Sequence, residues 1–324
     1  MNMDNVNEFF AALSSFLWGW PMIVLLLGTH IFLTVRLRFP QRKLFTAIRL
    51  SVQRDKSQKG DVSQFGALAT ALAATIGTGN IIGVATAVAL GGPGAVFWCW
   101  LTGVFGISTK YSEALLAIKY RVKSERGLMQ GGPMYTLERG LGWRKMGILF
   151  AIFTAIAAFG IGCTVQANAI STIMYASYGI STELSGGVLM LLAAAVIIGG
   201  VRSISKVCSM LVPFMALLYV LGCIYILCVN ASYVAPALQL IVSSAFSPEA
   251  AGGGFAGSTV IMAARYGIAR GLFSNESGLG SAPIVAAAAR TKNPVRQALV
   301  SSTGTFWDTV VICALTGLVI VSSI

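Results

Sequence analysis

A chain of 324 residues with 56% hydrophobic and 10% charged residues lacks the polar surface of a water-soluble globule, since soluble domains carry about 25% charged residues. Its mean hydropathy of +0.78 equally excludes a disordered chain, which needs low hydrophobicity and high charge. The net charge of +12 does not point to nucleic acid, because Lys and Arg cluster between apolar runs and form no basic face with stacking aromatics; a polytopic helical membrane protein remains.

The first span is expected from about Phe9 to Val35. Only the acids Asp4 and Glu8 precede it, unlike the basic start of a cleaved signal peptide. Eight cations follow, from Arg36 to Lys59, which places that stretch in the cytoplasm and the N-terminus outside. The second span runs from about Phe65 to Leu90, turns at Gly91-Gly92-Pro93-Gly94, and gives way to a third from Ala95 to Ile118. Seven cations between Lys119 and Lys145 mark the next cytoplasmic segment. The fourth span is Met146 to Tyr178, followed by a short outer segment with Glu183. The fifth is Gly186 to Val201, trailed by Arg202 and Lys206, and the sixth is Cys208 to Val229. A cation-free loop is expected from Asn230 to Gly254. A seventh apolar stretch covers Phe255 to Ala289 and is followed by Arg290, Lys292 and Arg296. The eighth, Gln297 to Ile324, carries the chain to its end. Twenty of the 23 cations fall in the four inferred cytoplasmic stretches and none in the outer loops. The other three, Lys110, Arg265 and Arg270, lie within apolar runs.

The six cysteines all sit in or beside apolar stretches, without C-x-x-C spacing, and read as small packing residues. His30 is the only histidine, so a metal site has no histidine partners to draw on.

Two stretches break the pattern of a plain spanning helix. The first is Ala74-Thr75-Ile76-Gly77-Thr78-Gly79-Asn80-Ile81-Ile82-Gly83. Glycine weakens a helix interior and Asn is expensive in hydrocarbon; a close helix crossing through glycine is the competing reading. The second is Arg270-Gly271-Leu272-Phe273-Ser274-Asn275-Glu276-Ser277-Gly278-Leu279-Gly280-Ser281-Ala282-Pro283. Its intramembrane carboxylate, Glu276, is either functional or a helix-pinning partner of Arg265 or Arg270. Each half of a broken helix presents N–H groups at its start and C=O groups at its end. Two such breaks in corresponding helices make the site of a secondary transporter, the N–H ends holding a carboxylate and the C=O ends holding Na⁺ or an ammonium. The chain then divides into an extra N-terminal helix with its basic segment (1–64), a first five-helix repeat (65–229), and the first two helices of a second repeat (255–324). Gln166 and Asn168 lie deep in the fourth span on different helix faces. Either one lines a pocket while the other pins a neighbouring helix, or both serve interhelical hydrogen bonds.

Gly77-Thr78-Gly79-Asn80-Ile81 with Gly91-Gly92-Pro93-Gly94-Ala95 resembles the alanine or glycine:cation symporter (sodium:alanine symporter) family. Gly131-Gly132-Pro133-Met134-Tyr135 and the long Gly271 to Pro283 segment are similar to its other signatures. The likeness covers the chain in order, including Leu37-Arg38-Phe39-Pro40-Gln41. It implies an all-α, leucine-transporter-like inverted-repeat fold with one extra N-terminal helix, in a bacterial or archaeal inner membrane. It implies coupling of Na⁺, or H⁺ in some members, to uptake of a small neutral amino acid, alanine or glycine, with no cofactor. By the resemblance, Thr78, Gly79 and Asn80 face the substrate carboxylate, Gln166 approaches from a neighbouring helix, and Ser274, Asn275 and Gly278 line the second break. Na⁺ would rest on backbone carbonyls at Ala74 and Gly77. Members of the family carry three further core helices, one of which completes that Na⁺ site. The chain is therefore expected to be a C-terminally truncated form, transporting poorly or not at all. The alternative is a non-transporting fragment or regulatory subunit that associates with an intact transporter.

Other classes fit less well. A membrane enzyme would need an acid, base, nucleophile or metal cluster, and no histidine pair or H-E-x-x-H exists. A channel would need charged rings or filter carbonyls from several subunits. The residues leave the choice between alanine and glycine, between Na⁺ and H⁺, and the oligomeric state open.

Overall fold

The computed structural model describes residues 3–53, 60–246 and 260–324. Arg54, Lys56 and Lys59 of the first cationic stretch, and Phe255 to Thr259 of the seventh apolar stretch, lie outside the described residues.

The chain is helical apart from one two-stranded ribbon. Helices α1 (Met3–Leu17) and α2 (Trp20–Arg36) form the first span. After a 3₁₀ turn at Pro40–Lys43 and α3 (Leu44–Val52) come α4 (Gln64–Thr75) and α5 (Val84–Gly91), then the long α6 (Gly94–Lys119). Strands β1 (Val122–Lys123) and β2 (Met129–Gln130) pair antiparallel ahead of α7 (Pro133–Leu141). Helices α8 (Arg144–Ala157), α9 (Val165–Tyr178), α10 (Thr182–Ile197), α11 (Gly200–Val229) and α12 (Ala231–Phe246) follow. Helices α13 (Val260–Asn275), α14 (Ala282–Ala287), α15 (Pro294–Thr305) and α16 (Ala314–Ser322) close the described chain. Local chemistry sets several boundaries. Ser63 starts α4 by accepting the Gly66 N–H at 2.9 Å, and Asn293 starts α15 by accepting from Val295 at 3.0 Å, each satisfying a donor the helix start leaves free. Gly179, at φ 67°, ends α9.

Among the described residues four helical stretches are long and apolar enough to cross a membrane: Asn5–Arg36, Arg144–Tyr178, Gly200–Val229 and Pro294–Ser322. The pair Gln64–Thr75 and Gly79–Gly91, bent by 51°, makes a fifth when taken as one span. The protein is thus a mostly helical, multi-pass membrane protein, with fewer uniformly apolar spans than the eight expected. The differences have physical reasons. The expected third span is α6, whose lower half carries Ser108, Thr109, Lys110, Ser112 and Glu113 and is too polar to face lipid. The expected fifth is α10, only 16 residues long, and the seventh is split into α13 and α14.

One element replaces an expected loop. From Ala231 to Phe246 the chain is helix α12. Its buried residues, Ala237, Ile241, Ser244 and Ala245, recur at helical spacing. Ala237 and Ile241 pack against Val88, Val96 and Val321. The cation-free composition was a poor guide, because a stripe of this kind needs no charge. Helical geometry also loosens at two unexpected places, wide π turns at Ala158–Thr164 and Phe306–Cys313.

Helix α6 is the centre of the bundle. Helix α13 crosses it through Gly267 and Gly271, where a Cβ would press on the Ala95 carbonyl oxygen and on Thr102 Oγ1. Glycines four apart share a helix face, and their small size lets the two backbones approach. Gly103 of α6 does the same for Thr309, whose methyl would stand 2.7 Å from an added Cβ. Outside this core, α8 to α11 turn large apolar side chains outward, among them Phe153, Phe159, Leu191, Phe214 and Leu218, as helices immersed in lipid do.

Candidate functional site

The first break begins where α4 ends at Thr75. Ile76 is extended (φ −76°, ψ 100°), and the chain re-enters helix through a wide turn at Gly79–Gly83. The side chain of Asn80 explains how this is tolerated: its Oδ1 accepts the Gly77 N–H at 2.8 Å, satisfying a donor that the broken ladder frees.

The second break begins at Asn275. Glu276, Gly278 and Gly280 have φ of 52°, 93° and 85°, and glycine is the residue that takes such angles without strain. Asn275 Oδ1 accepts the Ser277 N–H at 2.9 Å, and Lys110 Nζ donates to the Asn275 carbonyl at 2.8 Å. Lys110 is buried, so its ammonium serves a carbonyl released by the end of α13. A cavity of 10 Å³ beside it is lined by Thr75, Lys110, Asn275 and Ser301, among others, about the room one water needs.

The two breaks meet in a buried polar knot. Asn80 Nδ2 donates to Ser274 Oγ at 3.1 Å and to Asp308 Oδ1 at 2.7 Å. Asp308 Oδ2 accepts from Ser274 at 2.9 Å and from Thr309 at 2.7 Å. The Asp308 carbonyl, freed by its wide turn, accepts from Asn80 at 3.2 Å. Cys313 Sγ lies 3.3 Å from both Asn80 Nδ2 and Ser274 Oγ. Asp308 is wholly buried and Asn80 is 1% exposed, so these bonds work in a low-dielectric setting where each is strengthened. Beside the knot, Thr78 Oγ1 donates to Gln166 Oε1 at 2.8 Å. A Cβ on Gly77 would stand 3.5 Å from the Gln166 amide, and one on Gly79 would meet no atom within 4 Å. There is open space at Gly79, where the second half-helix starts.

At one end of the bundle the short halves α4 and α14 are clasped together. Val62 forms a parallel bridge with Ala289. Asp61 N and Val62 N donate to the Ala288 carbonyl, and Arg290 N donates to the Val62 carbonyl at 2.8 Å. Arg121 donates to the carbonyls of Ala287, Ala289 and Thr291 at 2.9, 2.8 and 2.5 Å. Burial holds its pKa below the usual guanidinium value, against the smaller opposing pull of the Asp61 carboxylate. Asp61 in turn accepts the Met129 N–H at 2.7 Å and lies 3.9 Å from Arg202.

Comparison with known proteins adds what the geometry cannot. The sodium:alanine symporter family profile matches residues 3–324. The chain belongs to the sodium:alanine symporter family. It is a Na⁺-coupled amino-acid symporter at the level of its family, and not an enzyme. An uncharacterised transporter of Haemophilus influenzae is 53% identical over 318 residues, covering 98% of this chain and 70% of its own length. The sodium/alanine symporter AgcS of Methanococcus maripaludis is 54% identical over 314 residues, 95% of this chain and 68% of its own. The uncharacterised transporter YflA of Bacillus subtilis is 38% identical over 325 residues, 99% and 69%. The chain thus spans about 70% of the length of these relatives.

In this symporter the expected site residues divide. Gly77, Thr78, Asn80, Gln166 and Ser274 are linked by direct contacts, with Gly79 beside them. Asn275 is at the second break but turns its Oδ1 to Ser277 and leaves Nδ2 without a partner. Gly278 is not with them: it is exposed, and a Cβ there would meet Leu26, His30 and Thr109 on the α2–α6 side. Ala74 is exposed near the end of α4. Glu276 pairs with neither Arg265 nor Arg270 and accepts from Ser281, because its left-handed backbone turns it along its own loop. Asn168 is exposed on α9. Two residues of the knot were missed. Asp308 carried the needed signal, a carboxylate inside an apolar run. Cys313 carried none, and it is more than a packing residue here. Among the described residues no group of three or more His, Cys, Asp or Glu side chains is placed to hold a metal ion; His30 is buried against Thr109 at 2.7 Å.

Proposed function

We propose that the chain carries the binding half of a Na⁺-coupled importer of a small neutral amino acid, alanine or glycine. Its topology is the leucine-transporter-like inverted repeat with one extra helix, the N-terminus outside, and α13 opening the second repeat. The substrate carboxylate is held by the N–H groups of Thr78 and Gly79, the Gly77 N–H being taken by Asn80. Its ammonium is held by Gln166 and by carbonyls at the end of α13, near Asn275. Na⁺ rests on carbonyls at the end of α4, Ala74 and Gly77, and helps hold both breaks in one geometry. It favours the occluded state by binding that state better. The observation that carries this reading is the direct link between the two breaks, Asn80 to Ser274 at 3.1 Å, with open space at Gly79 next to the Thr78–Gln166 pair. The likeness to the Methanococcus maripaludis sodium/alanine symporter AgcS supports alanine as substrate.

The test is binding of radiolabelled alanine to this chain in detergent, in Na⁺ and in K⁺. Binding in Na⁺ alone, lost in Q166A with its fold verified by circular dichroism, is the expected result. Binding equal in both salts, or unchanged in Q166A, defeats the site assignment. A second reading, a non-transporting fragment that joins an intact relative, is favoured by the exposure of Asn168 on a lipid-facing helix. It expects no uptake by the chain alone, together with stable co-purification with a full-length family member.

A further inference from the structure

A second pocket lies apart from the breaks. It has a volume of 340 Å³ and is lined by Ser14, Ser15, Trp18, Arg265, Tyr266, Arg270 and Phe273, among others. It shares no residue with the knot or with the Thr78–Gln166 pair. Arg265 and Arg270 are both half-buried within an apolar helix. Among the described residues neither has a salt bridge. Arg265 lies over the Tyr266 ring and Arg270 over the Phe273 ring, each 5.8 Å from the centroid. Each guanidinium carries five N–H donors, and two of them meeting no acid among the described residues suit an anion.

Two rulers give the depth of the pocket. Trp18 stands eighteen residues before Arg36 along the nearly continuous helix Asn5–Arg36, a rise of about 27 Å. Arg36, Arg38, Arg42 and Lys43 mark one membrane face, so Trp18 reaches the opposite face of a hydrocarbon core about 30 Å thick. Arg265 stands ten residues before the break at Asn275, about 15 Å, which is half that thickness. Both rulers put Trp18 and Arg265 at headgroup height, and Arg270, five residues before the break and so about 7.5 Å from it, reaches that height only through its long side chain. Trp at this depth is the usual interfacial anchor, and its indole N–H is a donor. The pocket opens at the rim of the bundle, where Phe9, Phe10, Phe16, Leu17 and Trp20 are exposed, a surface suited to acyl chains.

We propose that this pocket binds the phosphodiester of a phospholipid in the leaflet opposite the Arg36–Lys43 cluster. Arg265 and Arg270 take the phosphate oxygens, as guanidinium forks do with bidentate geometry. The hydroxyls of Ser14 and Ser15 serve the remaining oxygens, and the acyl chains run along the apolar face of α1. The side chain of Arg270 also lies 3.5 Å from where a Cβ on Gly83 would stand, so the stem of Arg270 packs between α13 and the start of α5.

The experiment is lipid retention by the delipidated chain in detergent, read by native mass spectrometry with phosphatidylglycerol as probe. One bound lipid is expected on the wild type. R265Q/R270Q should hold it at least tenfold more weakly, and R265K/R270K, which keeps the charge and loses the fork, should lie between the two. Circular dichroism on the lysine variant verifies its fold, so the proposal stays testable if the glutamine variant does not fold. Equal retention by wild type and the lysine variant overturns the fork geometry, and equal retention by all three overturns the site. Protection against heating by inorganic phosphate or by alanine at the same concentration as the lipid, lost in the same variants, overturns a lipid as the source of the anion. None of these readings involves uptake, so transport can fail while the lipid site stands, and the reverse.

Discussion

Asn80→Ala removes the side chain that links the two breaks. It strands the Gly77 N–H, which the amide oxygen now satisfies at 2.8 Å, and takes from Asp308 its 2.7 Å amide donor. A buried donor left without a partner costs about 1–3 kcal/mol, and a hydrogen bond to a charged group contributes about 1.5–3 kcal/mol. The expected loss of stability is therefore about 2.5–6 kcal/mol, large against the whole stability of a folded domain. Part of that loss is shared with Asp308. In a double-mutant cycle with Asp308→Ala, the second substitution acts on a group that has already lost its partner, so the two losses should fall short of additivity by about 1–3 kcal/mol. The measurement is unfolding of the chain in mixed micelles on titration with dodecyl sulfate, followed by circular dichroism, for wild type, both single variants and the double. Losses that add to within about 0.5 kcal/mol would mean that the knot does not hold the breaks together.

Lys110→Met takes the ammonium from the Asn275 carbonyl and should lower stability by about 1.5–3 kcal/mol in the same titration; an unchanged midpoint counts against the tie. Arg121→Gln removes donors to three carbonyls at the end of α14. A cysteine introduced at Ala288 should then react with a water-soluble maleimide at least threefold faster, and equal rates would show that Arg121 does not hold the clasp. Gly271→Leu drives a side chain into Thr102 and Cys99 on α6; overpacking of this kind costs about 1–3 kcal/mol, and full retention of stability would refute the close crossing of α6 and α13.

Much of the architecture was legible because it rests on local chemistry. The glycines of Gly77-Thr78-Gly79 and of Gly278 and Gly280 weaken a helix wherever they stand, so both breaks could be read directly. Helix α12 was not legible, since its apolar stripe and its lack of charge suit a loop outside the membrane equally well. The site itself was half legible. Asn80, Ser274 and Gln166 announce themselves as polar groups at membrane depth, but their partners are fixed by packing between distant segments. Asn80 reaches Asp308 across 228 positions of sequence, and no periodicity encodes that pairing. Gly278 illustrates the opposite error: it sits within the signature segment, yet the left-handed turn carries it round to the α2 side.

The clasp between Val62 and Ala289 has a mechanical consequence. Each of the two interrupted helices is already severed, so α4 and α14 can tilt against α5 and α13 without tearing any helical ladder. The bridge yokes α4 to α14, so that leverage applied to one is delivered to the other. What resists the swing is a handful of interstrand bonds and one arginine fastened to main-chain oxygens, an assembly that can be undone and remade as a unit.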